Sequence, residues 1–204
     1  MTHGHYGRTD KRWRAQEEMM TVLPSNNSGE TNFANDPELL SGVLRPYVRP
    51  QTTYLKSATV SVSDDLASAE GRFSIPFPCY IDDTGHLNAV EVIICFNQLM
   101  YYLIAKSVQE QAVPAFDAWT MDDYWAKQLP DMLIANFSST FKRPIDSADF
   151  SGSVSFAAFA ETNRSRPVLK VDMPWKFWDA SGGYAEGEVR MALVDPPGMA
   201  ARAA

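Results

Sequence analysis

The sequence predicts an α+β fold in which an antiparallel β-sheet wraps around one long buried helix. Three observations carry that prediction. A β-hairpin pattern is followed by a nearly all-apolar helix over about residues 88–108, and four long strand patterns come after it. The chain has 204 residues, 45% of them hydrophobic, which suffices for one core. No internal repeat is visible, so solenoid and propeller architectures are not indicated.

The elements follow in order. Residues 1–36 are rich in Asn, Ser, Thr, Gly and charge, as in SNNSGETNFAND, and read as a flexible arm that cannot bury enough surface to offset ordering. Asp36 is a candidate N-cap with Pro37 at the first helical position. Leu39, Leu40, Val43 and Leu44 then form the apolar face of a short helix ending before Pro46. Tyr54–Ser63 alternates as a strand, Asp64-Asp65 is the turn, and Glu70–Phe77 returns. After the central helix, Met121–Gln128 is a shorter helix with Asp122 and Asp123 in its first turn. Strands are expected over Met132–Phe141, Phe150–Thr162, Val168–Trp178 and Tyr184–Val194, making residues 37–195 a single domain and 196–204 a disordered tail. Such a sheet has edges, and dimerisation covers one, so a homodimer or higher oligomer is expected.

Composition excludes several function classes. Eighteen basic and 25 acidic residues give a net charge of −7, against a phosphate-binding surface and hence against nucleic acid as a partner. Four of the basic groups, Arg8, Lys11, Arg12 and Arg14, lie in the arm, so the body is more acidic still. Cys79 and Cys95 make no disulfide framework and no C-x-x-C pair, which fits a reducing cytoplasm. The only histidines are His3, His5 and His86, too few in the body for an H-E-x-x-H zinc site. No G-x-S-x-G elbow, Walker loop or G-x-G-x-x-G occurs, so no metal and no organic cofactor are expected. The start of the chain reads as no secretory signal. The longest unbroken apolar run, Leu99–Ala105, is seven residues, so no membrane span is expected.

The informative feature is what interrupts the buried helix. With Glu91 at zero on a helical wheel, Asn88 falls at about 60°, Cys95 at about 40°, Tyr102 at about 20° and Gln98 at about −20°, one narrow polar face. Asn97 falls near −120° and points elsewhere, toward a dimer seam or a backbone contact. A carboxylate on a core helix is costly unless it has partners or faces a polar cavity. One reading gives Glu91 and Gln98 purely structural bonds to the sheet or the helix end. The other uses the preceding Gly85-His86-Leu87-Asn88, which sets an imidazole and an amide at the helix N-terminus, where free N–H groups favour a developing anion. Glu91 and His86 then form an acid/base site beside an oxyanion hole.

Four segments, TGHLNAVEVIICFNQL (residues 84–99), WTMDDYWAKQL (119–129), SSTFKRP (138–144) and FWDASGGYAEGE (177–188), carry a resemblance in order and spacing. Over roughly residues 37–195 the chain resembles the FcoT-like thioesterase family of actinobacteria. The resemblance implies a hot-dog fold, usually dimeric. It implies addition of glycine to the β-carbon of a (2E)-enoyl group on the phosphopantetheine of an acyl carrier protein, within isonitrile lipopeptide biosynthesis. Thioester hydrolysis then releases a 3-[(carboxymethyl)amino] fatty acid. The family's pocket residues correspond to Tyr47, Tyr80, Asn88 and Asn97. A weaker likeness to hot-dog acyl thioesterases, D-x-x-G-H-x-N, matches Asp82, Gly85, His86 and Asn88.

On this reading Glu91 takes the proton of the glycine amine, His86 shares or relays it, and Asn88 with N–H groups near Gly85–Ala89 stabilises the thioenolate oxygen. Burial disfavours an ionised Glu91, so a neighbouring donor such as Tyr80 or Asn88 is needed. Gly85, Asn97 and Gln98 are further substrate contacts. Lys170 or Arg72 is the candidate cation for the glycine carboxylate, although each reads more readily as a solvated strand residue. Lys142-Arg143 and Arg164 with Arg166 are basic clusters on which an acidic carrier or its phosphate can dock. The alternatives are a plain acyl-CoA or acyl-carrier thioesterase and a non-catalytic acyl-binding subunit.

Overall fold

A computed structural model describes residues 29–82, 84–163 and 166–199. Twelve residues, α1 (Pro37–Val48), open the predicted domain, capped as expected by Asp36, whose carboxylate accepts from the Leu39 N–H at 3.0 Å. The hairpin β2 (Leu55–Ser63) and β3 (Leu66–Phe73) follows, the return strand starting directly after the turn and ending at Phe73 rather than spanning Glu70–Phe77 as expected; turn residues Asp64 and Asp65 both take positive φ, 49° and 63°, as a tight primed turn requires. The central helix α2 spans Ala89–Gln109. A single 3₁₀ turn, Pro114–Phe116, and α3 (Met121–Lys127) lead into β4 (Met132–Arg143). Four strands complete the fold: β5 (Phe150–Ser155), β6 (Ala158–Asn163), β7 (Pro167–Trp178) and β8 (Tyr184–Val194).

With a three-residue strand, β1 (Thr31–Phe33), they form one antiparallel sheet of order β1-β2-β3-β5-β7-β8-β4, with β6 also paired to β7. α2 packs against β2, β3 and β5, and this is the hot-dog arrangement. Its second half is wholly enclosed: Leu99 to Val108 are all buried. Aromatic rings fill the space beneath it. Phe73 stacks on Phe150 at 5.2 Å, Phe177 stands edge-on to both, and Trp175 stacks on Phe137 at 5.7 Å. Gly152 and Gly187 make this layer possible, because a Cβ at Gly152 would collide with the Phe177 ring and one at Gly187 would stand 2.7 Å from the Trp175 indole.

Several sequence expectations are corrected. The arm does not extend to residue 36: Thr31–Phe33 pairs with Val60–Val62, and Asn35 accepts from the Ala58 N–H at 2.9 Å. A partly buried charge cluster holds this stretch, since Lys106 on α2 reaches Asp36 at 3.6 Å and Glu110 at 2.6 Å and lies over the Phe33 ring. α1 runs through Pro46 to Val48 rather than stopping before it. The strand expected over Phe150–Thr162 breaks at Phe156, which turns into the core between Phe116 and Phe159. The tail is ordered over 196–199, where Met199 packs on the core; residues 200–204 lie outside the described part. By length and composition α2 is apolar enough to cross a membrane, with a mean hydropathy of 1.3, but 72% of that window is buried inside the fold. A wholly enclosed core helix gives the same signal.

Candidate active site

The candidate site forms where the loop after β3 enters α2. Gly85 turns the chain at φ 72°, where a side chain would be strained. His86 follows on the surface with Nδ1 2.9 Å from the Thr84 carbonyl oxygen. A carbonyl only accepts, so Nδ1 carries the proton and the neutral ring keeps Nε2 as its acceptor.

Asn88 and Glu91 then build a reciprocal cap. Asn88 Oδ1 accepts from the Val90 and Glu91 N–H groups at 3.0 and 3.2 Å. The Glu91 carboxylate accepts from the Asn88 side-chain amide at 2.5 Å and from its backbone N–H at 3.4 Å. Glu91 is only 1% exposed, and of the two donors expected beside it, Tyr80 and Asn88, it is Asn88 that bonds it. The expected oxyanion hole is correspondingly reduced. Asn88 and the N–H groups of Val90 and Glu91 serve the cap, while the Leu87 N–H goes to the Ile145 carbonyl at 2.9 Å. Ala89 alone among the described first-turn residues keeps its N–H from a protein acceptor.

A cleft of about 340 Å³ opens at this point, between the His86–Ala89 turn and residues Phe141–Pro144 at the end of β4. Its lining is mainly apolar, with His86 on one wall and Lys142 and Arg143 on the other. The structure thus brings together four residues picked from sequence: His86, Asn88, Lys142 and Arg143.

Other candidates are placed elsewhere. Gln98 is wholly buried; its Oε1 accepts from the Tyr54 and Leu55 N–H groups at 3.0 and 2.9 Å, and its Nε2 donates to the Thr52 carbonyl at 2.6 Å. It is a clamp on the start of β2, and its wholly buried amide is committed to three backbone groups. Removing it strands three buried backbone groups at about 1–3 kcal/mol each. Lys170 is exposed on the outward face of β7, away from α2. Arg72 also points outward and pairs with Asp149 at 2.6 Å. Arg166 is held by Asp195 at 2.7 Å and lies at the other end of β8 from Arg143, roughly 30 Å away at strand rise. Arg164 lies outside the described residues. Tyr80 is half exposed in the loop before the site and Asn97 is half buried on α2. Tyr47, in the last turn of α1, packs toward Tyr101 and Cys95, and burial first of all pushes its phenol up.

Three residues beside the site were given no role in the sequence reading, although Cys95 was placed on the polar face of the helix. Tyr54, 1% exposed, sets its hydroxyl beside the Cys79 thiol and in the field of Glu91; burial, then Cys79 and Glu91, push its phenol up, so it stays a donor. Cys95, one turn after Glu91, is held as a neutral thiol by burial and then by Glu91. Asp179 organises the turn facing the end of β4. Alternation marks Tyr54 only as one face of a hairpin; the D-x-S-G-G spacing of an Asx turn was the available signal for Asp179. Among the described residues no group of three His, Cys, Asp or Glu side chains is placed to hold a metal ion.

The model of the FcoT-like thioesterase domain matches residues 42–193. A Streptomyces coeruleorubidus protein named (2E)-enoyl-[ACP] glycyltransferase is 48% identical over 79% of this chain and 99% of its own. A Mycobacterium marinum protein of the same name is 40% identical over 84% of this chain and 92% of its own. Among solved structures, a Thermus thermophilus thioesterase superposes with a TM-score of 0.42 at 15% identity, over 66% of this chain and 84% of that one.

Proposed function

The chain belongs to the FcoT-like thioesterase family, and from that premise we propose that it is a (2E)-enoyl-acyl-carrier-protein glycyltransferase. The observation that carries this reading is the 48% identity to the Streptomyces relative along nearly that protein's whole length. The cleft at the N-terminus of α2 supports it, because an imidazole and two cations line it, and Asn88 on its wall bonds the buried carboxylate of Glu91 behind.

In the proposed reaction the neutral amine of glycine attacks the β-carbon of the enoyl thioester. A C–N bond forms, and the π electrons move onto the thioester oxygen as a thioenolate. Glu91 accepts the amine proton, and the α-carbon is then protonated to close the addition. The Ala89 N–H and the positive end of α2 face the developing oxyanion. His86 Nε2 exchanges protons between the site and the cleft. Water then attacks the thioester carbonyl and the carrier thiol leaves, giving a 3-[(carboxymethyl)amino] fatty acid for isonitrile lipopeptide assembly. No cofactor is needed for either step. Lys142 and Arg143 line the path by which a phosphopantetheine arm reaches the cleft, and an acyl carrier protein is the partner they fit.

The assembly we propose is a homodimer through β4. This strand is a sheet edge that exposes Leu133, Ile134 and Phe141, and exposed Val90 on α2 adds to the apolar surface. The unbridged thiols Cys79 and Cys95 suit the cytoplasm.

Incubation with a short (2E)-enoyl carrier thioester, with and without glycine, tests the function by mass spectrometry. A glycine adduct and its free acid are expected only when glycine is present. Free unsaturated acid without adduct means a plain thioesterase, and no change in either tube means an acyl-binding subunit.

A further inference from the structure

Across the cleft from α2 stands a carboxylate that touches no candidate substrate position. Asp179 is 9% exposed, and its two oxygens collect four donors. Oδ1 accepts from the Ser181 N–H and hydroxyl at 2.8 Å each and from the Gly183 N–H at 2.9 Å. Those three bonds close the turn between β7 and β8. The fourth, from the Asp146 N–H to Oδ2 at 2.7 Å, leaves the turn and captures the segment after β4.

That segment carries the site. The Ile145 carbonyl accepts the Leu87 N–H at 2.9 Å, between His86 and Asn88, and Arg143 and Pro144 form the facing wall of the cleft. Its other end is fixed by the Ser147 carbonyl, which accepts from Ile75 at 2.9 Å. Turn and segment touch directly: a Cβ on Gly183 would collide with the Pro144 carbonyl oxygen and stand 2.7 Å from Ile145 Cα. Ile145 and Leu87 are each 1% exposed, so this chain of contacts has little freedom to slip.

We infer that Asp179 is a positioning residue of the site: through Asp146 and Ile145 it holds the His86–Asn88 turn against the Arg143–Pro144 wall and fixes the width of the cleft. The inference rests on the reading that the enoyl thioester occupies this cleft. A carboxylate suits the task because both oxygens only accept, and all four partners donate. An amide in its place turns an NH₂ toward an N–H and loses one side of the connection.

The test is Asp179→Asn in the full-length chain, assayed on the enoyl carrier thioester with glycine. The kcat for adduct formation and for hydrolysis falls about tenfold or more, because small misplacements of reacting groups are costly. Amide hydrogen exchange at Leu87 quickens, while exchange in the β2–β3 hairpin stays as in the parent protein. An unchanged kcat, or a loss of kcat matched by an equal loss of folded protein, overturns the inference. Should Asp179→Asn not fold, Ser181→Ala removes one of the four donors and moves both readouts in the same direction; unchanged values there overturn it as well. If the parent protein turns over no enoyl thioester, the proposed function fails. Leu87 exchange then decides separately whether Asp179 holds the turn.

Discussion

Glu91 and Gln98 lie on one polar face of α2, yet the structure gives them different work. Gln98 bonds the backbone of Thr52, Tyr54 and Leu55, whereas Glu91 joins a cap whose Asn88 lines a cleft. Periodicity legibly placed both on that face and in the core. It could not say which backbone would approach each of them, since that depends on where β2 crosses the helix. Asp179 shows a further consequence of collected donors. Its Asp146 bond, its Ser181 hydroxyl bond and its other backbone bonds, working against desolvation, lower its carboxyl to about 2. A depressed carboxylate stabilises the fold fully above its unfolded value of about 4 and loses that contribution as pH falls through the folded value. Acid unfolding should therefore steepen between pH 4 and 2, and Asp179→Asn should flatten the pH dependence of urea midpoints in that window. Parallel curves for the two proteins would count against the assigned bonds.

At the scale of elements, the hairpin, the central helix and the late strands were legible because each repeats its own period over six or more residues. β1 was not, since three residues of a polar stretch carry no period; its ladder to β2 is joined by the Lys106–Asp36 pair, the Asp36 N–H bond to the Tyr102 hydroxyl and the Asn35 bond to β2, none of which the sequence marks. The break at Phe156 was hidden for the opposite reason: the alternation continues in sequence while the chain leaves β3 and carries on along β7, which it already pairs, into that strand's far half. β4 is the element with unspent pairing capacity. It bonds β8 along one side and exposes Leu133 at 46%. Leu133→Lys should shift the protein from dimer to monomer in light scattering. A parent protein that is already monomeric would remove β4 as an interface.

For the molecule as a whole, the net charge of −7 describes neither end of the sheet. Arg166 at one end is neutralised by Asp195, while Lys142, whose contact with Glu186 is 3.7 Å, and Arg143 border the cleft at the other. Replacing Lys142 and Arg143 with Ser should raise the KM for carrier-borne substrate and leave that for a free pantetheine thioester nearly unchanged; Arg166→Ser should alter neither. Equal effects on both substrates would refute carrier docking at this end. The activity itself was legible through the segments around residues 84–99 and 177–188, and the physical pattern alone reached no further than a buried carboxylate beside an imidazole.

The central claim is that Glu91 works as a base in addition to capping α2. Glutamine also completes a capping box, so Glu91→Gln keeps the cap while removing the charge. The most direct measurement is single-turnover formation of the glycine adduct by Glu91→Gln, with melting and oligomeric state checked against the parent protein. The account predicts a folded protein of unchanged assembly whose adduct formation drops by about 100-fold or more, within the range of a lost general base. Undiminished adduct formation by the folded variant would contradict it and leave Glu91 as a helix cap alone.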